Sequence, residues 1–546
     1  MWARDASLWT DSDEASWLGW LDTAAKSRAS LPEWSAWADA IRLDGIEDVV
    51  VLGMGGSSLC PEVLAQTFGQ QAGFPRLRVL DSTVPAQIRA LESALDLTRS
   101  LFVVSSKSGS TIEPDCLLAH FFAASQRALG SAAAAGRHFI AITDPGSALE
   151  GLAKARGFRH IAHGTATIGG RFSALSPFGM VPAVLAGLDA DLMLSRAEAM
   201  ADACRRGPGS GSGENPGAEL GIALATLARA GRDKLTLVTS PGLAAFGIWL
   251  EQLIAESTGH AGQGIVPVAG EALSPLEHYG PDRFFVDSRL AGDDASEQDA
   301  FLMAAEQAGH PVARLGACDR LDLGAEFFRW EFATAVAGAI LKLNPFVQPD
   351  VEAAKLAARQ LMDQFAATGA LPATPSSGTV SGVEVHCRED FALAAGDDLG
   401  ATLSRYLEQI SPGDYFAINA FVDMSPRNVA ALSRIREAVR PGSRAATTLG
   451  FGPRFLHSTG QLHKGGPNSG VFLQIPADDA DDLEIPERSF SFGVLKQAQA
   501  LGDFRVLLDR GRRALRLHVG PHVEDELERI ADFAEAAAQR TSKETP

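Results

Sequence analysis

The chain contains 546 residues, of which 46% are hydrophobic and 21% are charged, and its formal net charge is −19 at pH 7. A chain of this length exceeds one ordinary core, so we expect a soluble globular protein of at least two domains. The strong negative charge argues against nucleic acids and anionic membranes as partners.

Cysteine usage and the N-terminus bear on the cellular compartment. The five cysteines are odd in number and widely spaced, with no Cys-x-x-Cys pair, which argues against a disulfide framework and a cysteine zinc site. Residues 1–5 show no apolar targeting segment, and no stretch approaches about 18 uncharged apolar residues. We therefore expect a cytoplasmic protein.

A helical, tryptophan-rich pattern characterises residues 1–47, which we expect to cap the following unit. The apolar run 48–52 then predicts a strand that leads into the glycine-rich loop 53–58 and a helix with Pro61 in its first turn. Strand, tight loop and helix begin a βαβ unit. Further predicted strands, separated by helical stretches, lie at residues 78–81, 101–104 and 139–142. This alternation predicts a doubly wound α/β sheet of mainly parallel strands.

The same alternation restarts after a glycine- and serine-rich stretch at residues 207–213, which we interpret as a flexible linker. Predicted strands of this second half lie at residues 234–238, 265–268, 284–287 and 312–315. Its predicted helices cover residues 242–257 and 327–343, and another begins at Pro349. The repetition predicts two α/β halves of similar design.

A second loop-like stretch at residues 370–378 precedes the C-terminal part of the chain. Strands are predicted there at residues 415–421, 445–449, 471–475 and 515–519. The pattern leaves open whether this part extends the second half or caps it. We expect a helical cap and first domain at 1–217, a second domain at 218–370 and a C-terminal extension at 371–546.

The run Ser-Ser-Lys-Ser-Gly-Ser-Thr at residues 105–111 follows the predicted strand 101–104 and precedes a helix with Glu113 and Pro114 in its first turn. Backbone N–H groups, several hydroxyls and the positive end of the helix dipole meet in such a loop. The pattern therefore predicts a phosphate cradle. An ordinary Ser/Thr turn that caps a helix is the alternative.

The glycine loop 53–58 also suggests a dinucleotide site, in which Asp81 would bind the ribose. Two features oppose that interpretation: Ser58 replaces the third glycine of the G-x-G-x-x-G pattern, and a second phosphate-type loop follows two strands later. The hydroxyl of Ser57 suits a monophosphate better than a pyrophosphate. We therefore expect no nicotinamide cofactor.

Five motifs occur in the order found in the glucose-6-phosphate isomerase family, which the chain resembles. They are GMGGS at 53–57, SKSGST at 106–111, GGRFS at 169–173, ESTG at 256–259 and NPFVQPDVEAAK at 344–355. Segments 17–22 and 492–499 look most like the isomerase half of transaldolase–isomerase fusions, so the resemblance covers nearly the whole chain. It implies two sugar-isomerase (SIS) domains, a homodimer and cofactor-independent interconversion of glucose 6-phosphate and fructose 6-phosphate.

The resemblance, carried over residue by residue, also implies a site. The expected phosphate- and sugar-binding residues are Gly56, Ser57, Ser106, Lys107, Ser108, Ser110, Thr111, Gln252 and Gln348. The expected catalytic residues are Glu256 as the base, Arg171 beside the reacting carbons, Lys355 and His457. The family commonly has Asp where this chain has Val347, a departure that we expect to affect loop structure rather than chemistry.

The ring-opening histidine is assigned by a displaced motif. In short bacterial isomerases of the family it lies in a segment resembling H-S-x-x-Q-L-x-x-x-G-P, between the base and the lysine. In this chain that segment occurs later, at residues 457–467, whereas His278 and His310 lie in other contexts. We therefore expect His457 to open the ring.

Isomerisation of an aldose to a ketose moves a proton between C1 and C2 through an enediolate, which requires a carboxylate near the carbon acid and positive charge near the oxygens. Glu256 lies in the last turn of its predicted helix, where the negative end of the dipole favours a raised pKa and a stronger base. Gln252 shares its helix face. Gln348 and Lys355 lie two turns apart, so two helices can present polar pairs to one pocket.

Each of these residues also has a structural alternative. Glu256 can be a solvated helix-end glutamate, Lys355 a surface lysine, and Arg171 an arginine that pairs with a nearby carboxylate. No His-Glu-x-x-His motif accompanies His457 and His463, so we expect no metal site. The competing function is a non-catalytic phosphosugar-binding SIS regulatory protein, and activity on mannose 6-phosphate stays open.

Overall fold

The structure of the chain is a computed structural model that describes residues 1–207, 215–373, 376–388, 390, 391, 393, 394 and 396–544. Across these residues the strands form three sheets, of five, four and six strands. Most of the predicted linker at 207–213 lies outside the described residues, as do residues 374 and 375 of the second loop-like stretch. No helix in the described ranges is long and apolar enough to cross a membrane.

The first sheet is parallel and positions the loops of the site. Its strands are β1 (Asp48–Gly53), β2 (Arg76–Leu80), β3 (Ser100–Ser105), β4 (Phe139–Thr143) and β5 (His160–His163). The helices of this part are α1 (Thr23–Leu43), α2 (Leu59–Phe68), α3 (Pro85–Ser93), α4 (Ile112–Leu129), α5 (Ala132–Gly136), α6 (Ala148–Ala155), α7 (Pro177–Leu185) and α8 (Ala190–Cys204). The strand order is β2-β1-β3-β4-β5, so the order reverses between β1 and β3. Parallel α/β sheets bind ligands at such a switch point, beyond the carboxyl ends of the strands.

The tryptophan-rich N-terminal segment packs on the core, as predicted. Trp20 is fully buried and contacts Phe172 and Phe328, with ring centroids 5.3 and 5.7 Å away. Trp9 donates its indole N–H to the carbonyl oxygen of Ala335 at 2.8 Å. Aromatic side chains bury large apolar areas, so these contacts fix the cap against two separate parts of the chain.

The second sheet repeats the parallel design. Its strands are β6 (Lys234–Thr239), β7 (Val266–Val268), β8 (Arg283–Leu290) and β9 (Val312–Ala317), in the order β7-β6-β8-β9. The helices are α9 (Pro216–Arg229), α10 (Phe246–Thr258), α11 (Ser296–Gln307), α12 (Leu323–Leu341) and α13 (Pro349–Thr368). Helix α10 begins four residues later than predicted, because a 3-10 turn at Pro241–Leu243 occupies the predicted start. The two sheets confirm the predicted α/β class with mainly parallel strands.

The C-terminal strands, among those described, pair with one another and build a sheet of their own. They are β10 (Gly378–Val380), β11 (Val383–Cys387), β12 (Tyr415–Phe421), β13 (Ala446–Phe451), β14 (Gly470–Pro476) and β15 (Arg513–His518). The order is β10-β11-β15-β14-β12-β13, with an antiparallel hairpin at one edge. The accompanying helices are α14 (Leu399–Leu407), α15 (Pro426–Ser443), α16 (Gly460–Gly465), α17 (Phe492–Asp509) and α18 (Val523–Glu544).

A buried carboxyl in α12 links pH to stability. Glu331 is fully buried, and burial raises the pKa of its carboxyl well above the ordinary value of 4.5, opposed by the backbone of Ala174. Above that ordinary value the unfolded chain releases a proton that the folded chain keeps. The free energy of unfolding therefore falls as the pH rises from that value toward the raised pKa.

We expect Glu331→Gln to raise the free energy of unfolding at pH 8 by about 1–3 kcal/mol, since a neutral amide has no ionisation to suppress. At pH 4 the effect should be much smaller. Urea denaturation at both pH values measures the difference, with Glu33→Gln on the exposed face of α1 as the control. A change of the same size at both pH values would contradict the assignment.

Candidate active site

A cavity of about 760 Å³ lies at the switch point of the first sheet, between the loops after β1 and β3, α10, α13 and the C-terminal part of the chain. It brings together most of the predicted site residues. These are Gly56, Ser57, Lys107, Ser108, Ser110, Thr111, Arg171, Gln252, Glu256, Gln348, Lys355 and His457. Ser106 is buried and does not line this cavity, and its amide donates to the carbonyl oxygen of Ile142.

The hydroxyl-rich loop precedes α4 and faces the cavity with small polar groups. The hydroxyls of Ser108 and Ser110 lie 3.0 Å apart. Thr111 is the N-cap residue of α4, yet its side chain makes no capping hydrogen bond within the described helix. Its hydroxyl is therefore available to a ligand at the positive end of the helix dipole. Lys107 is already paired, because its ammonium lies 2.5 Å from a carboxylate oxygen of Asp144.

The glycine loop allows three chain segments to approach closely. Gly55 has a φ of +54°, and a Cβ at this position would lie 2.8 Å from Nε2 of Gln252 and 2.9 Å from the carbonyl oxygen of His457. A Cβ at Gly56 would lie 2.0 Å from the carbonyl oxygen of Gly170. Any larger residue would push these segments apart, so the two glycines keep the walls of the cavity together.

Glu256 lies in the last turn of α10 and is 4% exposed. Nε2 of Gln252 donates to its Oε2 at 3.1 Å, and Nη1 of Arg171 lies 3.4 Å from the same oxygen. Burial raises the pKa of the Glu256 carboxyl, although Arg171, His457 and Lys355 oppose the shift. The buried Oε1 of Gln252 has no hydrogen-bond partner among the described residues, so it can accept a hydrogen bond from a ligand.

Arg171 fastens the loop before α13 to α10. Its guanidinium donates to Ser257 Oγ at 2.8 Å, to the carbonyl oxygens of Pro345 and Val347 at 2.8 and 2.9 Å, and to Gln348 Oε1 at 2.6 Å. Arg171 is 2% exposed, and burial lowers the pKa of its guanidinium. Arg171 thus combines a structural role in this loop with a positive charge beside Glu256.

His457 reaches the cavity from the C-terminal part of the chain. Its Nε2 lies 2.8 Å from Oε1 of Glu113, and its carbonyl oxygen accepts from Nε2 of Gln252 at 2.8 Å. Gln499 also donates to Glu113 Oε1, at 2.7 Å. Burial favours a raised pKa for Glu113, but the charge and hydrogen bond of His457 outweigh it, so the net shift is downward. An ionised Glu113 can only accept, which places the proton on Nε2 of the imidazole.

Glu113 and Gln499 are site residues that sequence reasoning missed. In the sequence, Glu113 indicated only the start of a helix, because acidic residues are common in a first turn, where the helix dipole stabilises their negative charge. Its position directly after the hydroxyl-rich loop was the available signal. Gln499 closes the C-terminal motif at 492–499, and its location in a family motif was the corresponding signal.

Lys355 is the most exposed of the four expected catalytic residues. It lines the cavity from α13, its side chain is 44% exposed, and its ammonium lies 2.9 Å from Oε1 of Glu352. An exposed pair of this kind contributes little energy and opens readily. The surface-lysine alternative therefore holds in part, and any contact of Lys355 with a ligand requires it to leave Glu352.

Sequence comparisons place the chain among known proteins. Residues 33–260 match the family described as phosphoglucose isomerase. A glucose-6-phosphate isomerase of Rubrobacter xylanophilus is 30% identical over 364 residues, which cover 58% of this chain and 83% of that protein. One of Thermus thermophilus is 35% identical over 193 residues, which cover 35% of this chain and 45% of that protein.

Two solved structures resemble the fold. A hypothetical protein from Thermus thermophilus has a TM-score of 0.57 and 27% identity, covering 66% of this chain and 94% of that one. A glucose-6-phosphate isomerase from Chlamydia trachomatis has a TM-score of 0.53 and 21% identity, covering 62% of this chain and 74% of that one, and shows the fold alone. The likeness to transaldolase fusions stays a prediction. Because the Rubrobacter protein is 30% identical and the match covers 83% of its length, the chain belongs to the phosphoglucose isomerase family, whose model residues 33–260 match.

Proposed function

We propose that this protein is a cofactor-independent aldose–ketose isomerase that interconverts glucose 6-phosphate and fructose 6-phosphate. The observation that carries the proposal is one cavity in which a hydroxyl-rich helix N-terminus, a buried carboxyl at Glu256 and an oriented imidazole at His457 meet. The relatives from Rubrobacter xylanophilus and Thermus thermophilus are both named glucose-6-phosphate isomerase, which supports this proposal. A purely regulatory sugar-phosphate sensor is not favoured, because it has no use for a buried base beside Arg171.

The phosphate of the substrate binds at residues 107–111 in this proposal. The positive end of the α4 dipole and the hydroxyls of Ser108, Ser110 and Thr111 favour an oxyanion there. This contact holds the sugar at one end, so that C1 and C2 extend toward Glu256. Substrate orientation of this kind supplies a large part of the rate in enzymes that act on small molecules.

Ring opening comes first, because hexose 6-phosphates are mostly cyclic. The imidazole of His457 donates its Nε2–H to the carboxylate of Glu113, which leaves Nδ1 as the nitrogen that exchanges a proton with the sugar. Nδ1 takes the proton of the C1 hydroxyl and passes it to the ring oxygen as the bond between that oxygen and C1 breaks, which gives the aldehyde. Histidine suits this exchange because its ordinary pKa lies near neutrality.

Proton transfer between the carbons follows. Glu256 removes the proton from C2, the electron pair forms the C1–C2 double bond, and the carbonyl oxygen at C1 takes up the negative charge and then the proton of the C2 hydroxyl. The guanidinium of Arg171, 3.4 Å from Glu256, supplies positive charge for this enediolate. Returning the proton to C1 while the C2 hydroxyl becomes a carbonyl yields the ketose.

Replacing Thr111 with Val is expected to weaken the binding of phosphate-bearing competitive inhibitors by about tenfold or more, since a hydrogen bond to a charged group is lost. Turnover at saturating substrate should change much less. Thr379→Val, on the exposed surface of β10, is the control for the same chemical change. Inhibition constants equal to those of the unmodified protein would remove Thr111 from the phosphate site.

The proposed function is tested by incubating the purified protein with glucose 6-phosphate in buffer without added cofactor. We expect fructose 6-phosphate to accumulate to an equilibrium mixture. Tight binding of hexose 6-phosphates without turnover would instead support the regulatory alternative. Mannose 6-phosphate, run in parallel, tests how strictly the pocket selects the configuration at C2.

The proposal includes the organisation expected from the sequence. We propose the division into residues 1–217, 218–370 and 371–546, a homodimer, and a cytoplasmic location. The family resemblance supports the dimer, and the odd number of scattered cysteines supports a reducing compartment. Sedimentation of the purified protein tests the oligomeric state.

A further inference from the structure

The turn that carries His457 is fastened to the first sheet by a buried ion pair. This turn, Arg454–His457, belongs to the C-terminal part of the chain. Nε and Nη2 of Arg454 donate to the two carboxylate oxygens of Asp81 at 2.7 and 2.8 Å. Asp81 directly follows β2, and its side chain is fully buried. Two parallel bonds between planar groups fix orientation as well as distance.

The charges around Arg454 commit it to this pair. Oε1 of Glu62 lies 3.6 Å from its Nη2, and the hydroxyl of Ser58 lies 3.5 Å from Oδ2 of Asp81. Burial favours a lower pKa for Arg454, but Asp81 and Glu62 outweigh it and hold the guanidinium charged. Arg454 does not line the cavity. The pair therefore has no role in ligand contact.

His457 is held at three points, and each comes from a different element. Glu113 at the start of α4 binds the imidazole, and Gln252 of α10 binds the backbone carbonyl. Asp81 binds the first residue of the same short turn, three positions before the histidine. If the contact with Asp81 is lost, the turn can rotate about the two remaining contacts, with Glu113 and Gln252. That rotation moves the imidazole away from the sugar.

We propose that Asp81 and Arg454 are positioning residues that hold His457 where it can reach the ring oxygen of a cyclic sugar phosphate. The inference rests on the proposed isomerase function and deepens it. The pair acts on ring opening rather than on proton transfer between the carbons, because the hydrogen bonds and ion pairs of Glu256 and Arg171 among the described residues go to groups other than Asp81 and Arg454. A displacement of about 1 Å in a reacting group lowers turnover by about 10²-fold.

The variant Asp81→Asn tests the pair, because it keeps the size of the side chain and removes its charge. We expect kcat with glucose 6-phosphate to fall by about 10- to 100-fold. Activity with an aldose phosphate that cannot cyclise, because its phosphate occupies the hydroxyl needed for closure, should stay within about threefold. An equal loss on both substrates, or a lower melting temperature alone, would overturn the proposal.

Glu271→Gln is the matched control. Glu271 forms a comparably buried pair with Arg283, at 2.9 Å, which also joins two parts of the chain through the carbonyl oxygen of Ala445. Neither residue lines the cavity. This variant should lower the melting temperature without changing the ratio of the two activities. A changed ratio in Glu271→Gln would show that any buried pair has the same effect and would overturn the assignment.

If Asp81→Asn does not fold, Arg454→Lys provides a second test. Lysine retains the positive charge but cannot form the two parallel hydrogen bonds that the guanidinium makes with Asp81. The same selective loss on the cyclic substrate is expected, and an unchanged activity ratio overturns the proposal. NMR of 15N-labelled histidine gives a readout without turnover: the His457 ring signals should move in either variant, and unmoved signals overturn the proposal. If the unmodified protein isomerises neither substrate, the proposed function fails, while the NMR measurement still decides the positioning role.

Discussion

Glu256→Gln is expected to lower kcat with glucose 6-phosphate by at least about 10²-fold while substrate binding is retained. The amide keeps the size of the side chain and can still interact with Gln252, but it cannot accept a proton from C2. Steady-state kinetics together with an inhibition constant for a phosphate-bearing inhibitor separate turnover from binding. Near-normal turnover would exclude Glu256 as the base.

Glu251→Gln is the matched control for this prediction. Glu251 lies on the same helix, and burial raises the pKa of its carboxyl to about 7, so its pKa alone would make it a candidate base. It does not line the cavity, and we expect its loss to leave kcat nearly unchanged.

The pH profile of the unmodified protein gives a second test of Glu256. Because burial raises the pKa of Glu256, the acid limb of kcat/KM should lie above the ordinary carboxyl value of 4.5.

His457→Ala should severely impair turnover of cyclic glucose 6-phosphate yet retain much of the activity with an aldose phosphate that cannot form a ring. The reason is that Glu256 and Arg171 stay in place, while the proton exchange that opens the ring is lost. We expect a selectivity change of about 10²-fold between the two substrates. Both activities and the melting temperature should be measured on one preparation.

His278→Ala serves as the control, since His278 lies between Glu256 and Lys355 in the chain but does not line the cavity. It should leave both activities unchanged. A histidine that only organises the loop before Pro467 would give an equal loss on both substrates in His457→Ala. That result would contradict the ring-opening role.

The two α/β halves followed from local pattern because their strands and helices are short-range features. Apolar runs such as β1 and β3 are buried along nearly their whole length, as parallel strands covered on both faces must be. The third sheet could not be predicted in the same way, because sheet membership depends on non-local pairing. Strand β11 pairs with β15 across more than a hundred residues, and no local signal encodes that partner.

The site shows the same division between local and distant information. Family motifs brought together Glu256, Arg171 and the hydroxyl-rich loop, because each motif carries its own chemistry. Contacts between motifs could not be predicted from the sequence, because the residues that make them are far apart in the chain: Glu113 and His457 are separated by 344 positions. Asp81 was considered only as a ribose ligand, whereas the fold commits it to Arg454, 373 positions away. A carboxylate after a strand is compatible with both roles, and only the folded chain supplies the partner.

Proton transfer by Glu256 within this cavity is the central claim, and isomerisation in D2O tests it most directly. Incubation with glucose 6-phosphate should yield fructose 6-phosphate that carries deuterium in part at C1, and remaining glucose 6-phosphate that carries deuterium in part at C2, both detected by NMR. Glu256→Gln should slow product formation and exchange together by at least about 10²-fold, whereas Glu251→Gln should match the unmodified protein. Unchanged rates of both processes in Glu256→Gln would contradict the account.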